Sequence, residues 1–187
     1  MPENDYELNK KIHKWEDDPS KEILLDLGEA YDYTIKYVKR CKKDKESNCW
    51  HQLDELHIYK GDELIASHHP HLDPYITIKD NIVCMTSDGE CWVYDLKTNK
   101  ENAISMPIVA FDHYIDFSEE QRQNIPNTFV VSGEGCYWAC EAWPQGFEIY
   151  IDKDTLEEKR QDVWDEEDGY DAYIKELEED DDNGEEN

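Results

Sequence analysis

The chain has 187 residues, with 19 Lys and Arg set against 47 Asp and Glu, for a formal net charge of −28. That length suits one hydrophobic core with a tail, since single domains commonly hold about 100–200 residues. The charge argues against DNA, RNA and anionic membranes as direct partners, because phosphate binding needs Lys and Arg to displace counterions, and no apolar run approaches the roughly 20 residues that cross a bilayer.

Met1 to Lys14 is too polar for a signal peptide, so the expected location is the cytoplasm. Asp18-Pro19 reads as a helix start, Asp capping and Pro at the first helical position. Ile23, Leu24 and Leu27 then share a helical face and Gly28 supplies a stop, which predicts a short helix over about 19–27. From Glu29 to Lys43 the pattern fits either element. Tyr31, Tyr33, Ile35 and Tyr37 alternate as in a strand, and the β-branched and aromatic residue types decide for the strand.

Beyond Asn48, strand and hairpin signals dominate. Leu56–Tyr59 and Glu63–Ala66 flank Lys60-Gly61-Asp62, and Tyr75–Lys79 passes through Asp80-Asn81 into Ile82–Thr86. Asp88-Gly89 is a strong hairpin signal between Ile82–Thr86 and Cys91–Asp95. Phe129–Val131, Cys136–Cys140 and Phe147–Ile151 complete the series, and Ser118–Gln121 reads as a capping box. The hairpins after Tyr59, Tyr94 and Tyr150 echo one another like the outer hairpins of propeller blades, but their spacing is irregular. The expected fold is mainly β: an antiparallel meander or sandwich of about eight to ten strands with a short N-terminal helix. One β-rich domain would cover 1–167, and an acidic tail, 168–187, would form a short helix and then disorder.

The acidity is not confined to that tail. Residues 162–187 hold fourteen acids and one base, yet residues 61–160 still hold nineteen acids against seven bases. One stretch runs the other way, with Lys36, Lys39, Arg40, Lys42, Lys43 and Lys45 interrupted among acids only by Asp44. It reads either as a small anion site or, preferably, as a solvated strand end that eases self-repulsion.

Six cysteines are present. Cys84 and Cys91 lie on the two arms of the Asp88-Gly89 hairpin, and Cys136 and Cys140 share one strand face. Without Cys-x-x-Cys spacing they read as reduced, buried apolar residues rather than a zinc site. His68-His69-Pro70-His71 puts His69 and His71 on one side of an extended chain and His68 on the other, and a surface loop is the preferred reading. Ser132-Gly133-Glu134-Gly135 lacks the Lys of a phosphate loop, no nucleophile elbow occurs, and Asp152-Lys153-Asp154 lacks the glycine of a calcium loop. The expectation is therefore a protein with no catalytic residues, metal or cofactor. The alternative is a metal- or thiol-dependent enzyme using His69, His71 and the paired cysteines.

The unusual feature is a high aromatic content, six Trp and twelve Tyr, inside so acidic a chain. Tyr137, Trp138 and Trp143 stand among Glu134 and Glu141, and Asp116, Glu119 and Glu120 add further carboxylates. Aromatic anchors surrounded by acids suit a basic protein partner, the acids speeding encounter and the rings slowing release. In size, charge and makeup, though in no motif, the chain resembles the immunity proteins that protect bacteria from nuclease toxins. The functional expectation is a cytoplasmic inhibitor of a basic toxin or nuclease, with a phage-type inhibitor of a nucleic-acid-binding defence enzyme as the nearest variant.

Overall fold

The computed structural model describes residues 5–14, 21–70, 74–118, 124–135 and 145–165. Among them are one helix, α1 (Asp5–Ile12), and twelve strands. A four-stranded antiparallel sheet has the order β1 (Ile23–Ala30), β2 (Tyr33–Lys39), β5 (Glu55–Lys60), β6 (Glu63–His68). Between β2 and β5 the chain makes a separate two-stranded hairpin, β3 (Cys41–Lys43) with β4 (Trp50–Gln52). The remaining strands are β7 (Tyr75–Lys79), β8 (Ile82–Asp95), β9 (Lys100–Asp116), β10 (Thr128–Gly135), β11 (Gln145–Asp152) and β12 (Glu158–Asp165). They follow one another in a second antiparallel sheet. The mainly β antiparallel meander expected from the hairpin signals is the observed architecture.

The second sheet folds over on itself, because β8 is not straight. Extended residues advance about 3.3 Å each, so Cys84 and Cys91 would stand roughly 23 Å apart in a straight strand; their Sγ atoms are 3.6 Å apart. The Leu96 amide also donates to the Asn81 carbonyl at 2.8 Å, and Gly89 takes a φ of +76°. The chain therefore turns at Asp88-Gly89, as the Asp-Gly pair demands. β9 changes partner in mid-course: residues 100–105 pair with 90–95, whereas residues 109–116 pair with β10 apart from one pairing of Ala110 with Asp88. The result is three four-stranded meanders. The first is β1-β2-β5-β6, the second is β7, the two arms of β8 and the start of β9, and the third is the end of β9 with β10, β11 and β12.

Alternating side chains give each of the two interfaces its own core. Tyr33, Ile35, Tyr37, Leu56 and Ile58 of the first meander pack with Ile76, Val83, Met85, Trp92 and Tyr94 of the second. The opposite face of the second, Ile82, Cys84, Cys91 and Val93, packs with Ile115, Phe129, Val131, Phe147, Ile149 and Ile151 of the third. The middle layer is thus apolar on both faces, which explains why 82–85 and 91–94 read as continuous rather than alternating apolar runs.

The helix expected over about 19–27 is a correction. Residues 23–27 belong to edge strand β1, where Leu27 is buried and Leu24 and Asp26 face outward. Leu24, 55% exposed, is what imitates a helical face in the sequence. Gly28 does not stop a helix; at φ +117° it makes a bulge in the β1–β2 ladder, and its amide donates to the Asp26 carboxylate at 3.0 Å. Among its described side chains the actual helix, α1, buries Leu8, Asn9 and Ile12, with Leu8 and Ile12 one turn apart. Lys39 Nζ donates to the carbonyls of Ile12 and Lys14, both at 2.6 Å, and so satisfies groups that a helix end leaves open. Asn9 clamps the backbone of β7, its Nδ2 donating to Ile76 O at 3.2 Å and its Oδ1 accepting from Ile76 N at 2.9 Å. The tail 168–187 and the capping box apart from Ser118 lie outside the described residues.

Two turns that echoed in the sequence are built alike. In the turn after β8, Asp95 accepts from the Lys97 amide at 2.8 Å and from the Thr98 hydroxyl, and the Asn99 amide returns to the Asp95 carbonyl. In the turn after β11, Asp152 accepts from the amides of Asp154 and Thr155 at 2.8 and 2.9 Å, and the Leu156 amide returns to the Asp152 carbonyl. Asn99 and Leu156 both take the left-handed conformation, at φ 56° and 61°.

Candidate functional site

Charge is distributed unevenly over the three layers. Residues 21–70 carry ten acids and eight bases, and residues 74–105 five acids and three bases. Residues 109–165, the span of the third meander, carry thirteen acids and four bases, a net −9. The face of this meander turned away from the second core is set by strand alternation. Asp116 pairs with Val130, Val130 with Tyr150 and Tyr150 with Arg160, while Ser132 pairs with Glu148 and Glu148 with Asp162. Tyr150 is fully buried, and its hydroxyl donates to Glu148 at 2.8 Å. Burial and the neighbouring Glu148 and Asp162 push its pKa up to about 12, so it remains a neutral donor. Arg160 lies over the Tyr150 ring, 5.6 Å from its centre, and donates to Asp162 at 2.6 Å. Among the described side chains the site is thus a row of half-buried carboxylates, Asp116, Glu148 and Asp162, around an aromatic floor. Such a surface accepts cationic groups.

The expected partner-binding residues are only partly placed. Asp116 ends β9 opposite Val130, near the β10 start, and the Glu134 backbone at the other end of β10 pairs with Gly146 and Ala110. Four residues separate Val130 from Glu134, about 13 Å along the strand. The loop after Asp116 and the loop after Gly135 therefore leave from opposite ends of the same sheet. Glu119, Glu120, Tyr137, Trp138, Glu141 and Trp143 lie outside the described residues. Sequence reasoning missed Glu148 and Asp162. The available signal was their shared alternation with Tyr150 and Arg160 on paired strands, hidden by the abundance of acids.

The alternative groups take up structural contacts. His68 stacks on Trp92 with ring centres 4.8 Å apart and pairs with Glu90 at 3.0 Å. His69 Nδ1 meets the Asp54 carbonyl at 2.6 Å, and His71 lies outside the described residues. Among the described residues, no three His, Cys, Asp or Glu side chains are grouped to hold a metal ion. Cys84 and Cys91 are fully buried thiols in the second core, and burial together with their mutual contact raises the Cys84 pKa well above its ordinary value. Burial, then the charge of Asp54, raises that of the half-buried Cys41, whereas Cys49 is exposed. Reaction with a water-soluble disulfide reagent should accordingly modify Cys49 first and Cys41 more slowly, with Cys84 and Cys91 responding only on unfolding. Denatured protein kept from air should show all six thiols; fast native labelling of Cys84 would contradict the burial.

The basic stretch is largely absorbed by the fold. Lys39 caps α1, Arg40 pairs with Glu22 at 3.2 Å and Glu55 at 2.7 Å, and Lys36 lies over the Tyr59 ring. Glu55 also meets His57 Nε2 at 2.6 Å, and this contact, with Arg40, holds its carboxyl below the usual range although burial opposes the shift. Lys42, Lys43 and Lys45 remain on the exposed β3–β4 hairpin, where Lys43 lies over Trp50.

No family model and no curated protein matches the chain. A solved structure, acylaminoacyl peptidase from Pyrococcus horikoshii, is similar at 14% identity with a TM-score of 0.43, over 79% of this chain and 26% of that one. The chain thus spans about a quarter of that protein's length. No described helix is long and apolar enough to cross a membrane.

Proposed function

We propose that this protein is an acidic inhibitor that binds a basic protein through its third meander, in the manner of an immunity protein covering the positive groove of a nuclease toxin. The observation that carries this reading is the concentration of charge: a net −9 on residues 109–165 against −2 on each of the preceding layers. Asp116, Glu148 and Asp162 supply fixed carboxylates on one sheet face, and Tyr137, Trp138, Glu141 and Trp143 follow in sequence directly after Gly135 at the end of β10. Groove-binding enzymes that act on nucleic acid present Lys and Arg in the matching arrangement. The partner belongs to the cytoplasm with it.

The test is kinetic. A basic partner captured from the source cell should form a stoichiometric complex and lose its activity in it. Association should be up to about 10- to 1000-fold faster at low salt than without steering, and should slow steeply as the Debye length falls to about 8 Å at physiological ionic strength. Dissociation should change much less. Glu134→Lys with Glu141→Lys should mainly slow association, and Trp143→Ala should mainly speed dissociation. A partner that stays active in the complex, or an association rate indifferent to salt, would sink the proposal.

A further inference from the structure

The first meander has an inner face in the first core and an outer face on which Val38 and His57 are buried while Leu24 and Leu64 stand exposed. Outward positions on it follow from the register: Leu24 opposite Val38, Asp26 opposite Lys36 and Lys36 opposite His57, Tyr59 opposite Leu64. Leu24 is 55% and Leu64 46% exposed, at diagonal corners of the sheet. Every exposed large apolar residue among the described ones, these two with Tyr31, Trp50 and Leu53, falls between positions 24 and 64. The charges on this face alternate in sign: Asp26 beside Lys36, and Glu55 beside Arg40.

We propose that this outer face of the first meander is where two copies of the chain pair, face to face, about a two-fold axis. The occupant is chosen by charge. A chain of −28 repels another copy wherever acids are concentrated, and residues 21–70 are a nearly neutral region, ten acids against eight bases. A face with interleaved charges of both signs is self-complementary under a two-fold axis, as a symmetric pair requires. An added layer on it also continues the face-to-face stacking that already joins the three meanders. Pairing there sends both third meanders to the far ends of the assembly, where their like charges are furthest apart. The face is small: four strands about 4.8 Å apart and roughly six residues long present about 400 Å² per copy. That lies below the standard interface of roughly 800 Å² per partner, so the dimer is a weak one that forms only at high protein concentration.

This pairing has a salt dependence opposite in sign to the binding of a basic partner, so the two ideas fail separately. Salt screens the repulsion between copies while leaving apolar contact intact, so the dimer should strengthen as salt is added. Sedimentation velocity on the full chain should show the 22.2 kDa monomer at low concentration and low salt. A species of twice that mass should grow with both concentration and salt. Leu24→Glu with Leu64→Glu should weaken pairing by at least about tenfold, since each places an unpaired charge in the contact, while the melting temperature stays unchanged. The milder pair Leu24→Ser and Leu64→Ser should move the constant in the same direction if the glutamates disturb folding. A monomer at every concentration and salt would overturn the proposal. So would a dimer that neither pair of substitutions weakens, or one that dissociates as salt is added.

Discussion

Replacing Trp92 by alanine is expected to lower the free energy of unfolding by about 3–5 kcal/mol, the range for truncating a fully buried large aromatic. The indole is 2% exposed and lies in the first core between the first and second meanders. It is stacked between His68 at 4.8 Å and Tyr94 at 5.7 Å, and its Nε1 donates to Glu101 at 3.2 Å. Alanine removes both stacks and leaves a void between two sheets whose backbones are held by their own ladders and cannot close it. Against a total stability of roughly 5–15 kcal/mol this is about a fifth or more. Urea unfolding should show a lower midpoint at nearly constant slope. Trp92→Phe, which keeps a ring in the stack, should lose distinctly less. A loss below about 1 kcal/mol for alanine would mean that the two meanders do not share this core.

Acid should unfold the protein through its turn aspartates. Asp152 is 7% exposed, and burial alone would raise its pKa; the Lys159 ammonium and the amides of Thr155 and Asp154 overcome that and bring it down to about 2. Asp95 is lowered as well, burial again opposed, here by the Thr98 hydroxyl, the Asn81 side-chain amide and the turn amides. Both groups are more acidic folded than unfolded. Their contribution is complete above the unfolded value near 4 and is lost as pH falls from there towards 2. For Asp152 that contribution is about 2 kcal/mol, from a shift of nearly two pH units. Asp152→Ala should therefore cost about 2–3 kcal/mol at pH 7, because two amides and the half-exposed Lys159 also lose their acceptor. The cost should shrink as pH falls from about 4 towards 2, where the unfolded carboxylate takes up its proton before the native one does. Urea midpoints for both proteins between pH 7 and pH 2.5 would check this; a difference independent of pH would contradict it.

What the sequence disclosed follows from where local chemistry decides geometry. Asp88-Gly89 and Lys60-Gly61-Asp62 dictated their turns, and the β-branched and aromatic run Tyr33–Val38 proved a strand in β2. The strand total was underestimated because several strands lack the apolar alternation that marks a half-buried strand. β3 and β4 are three residues each and mostly polar, and β12 reads Glu-Lys-Arg-Gln-Asp before its first apolar residue. Edge strands of this kind take their conformation from the neighbour they pair with, not from burial. The helix was misplaced for the converse reason: Leu24 is apolar yet outward, while α1 has only Leu8 and Ile12 to mark it. The acidic face was legible as composition but not as a surface. Glu148 and Asp162 come together only through the β11–β12 ladder, and nothing among 47 acids singles them out beforehand.

The clamp of Asn9 on Ile76 has a kinetic consequence. Nearly all other strand pairings join neighbours along the chain, so hairpins can zip successively from local contacts, a topology that favours rapid folding. The clamp instead spans 67 residues, and α1, too short to persist alone in water, lacks its backbone anchor until β7 exists. On a ribosome making about 5–20 residues per second, the N-terminal segment would wait several seconds after its own synthesis before its landing site emerged. Leu8 and Ile12 lack the Ile76 side of their core throughout that interval. The first meander can therefore form before its helix is clamped, and the last event in building the N-terminal part of the molecule is the locking of Asn9 onto Ile76.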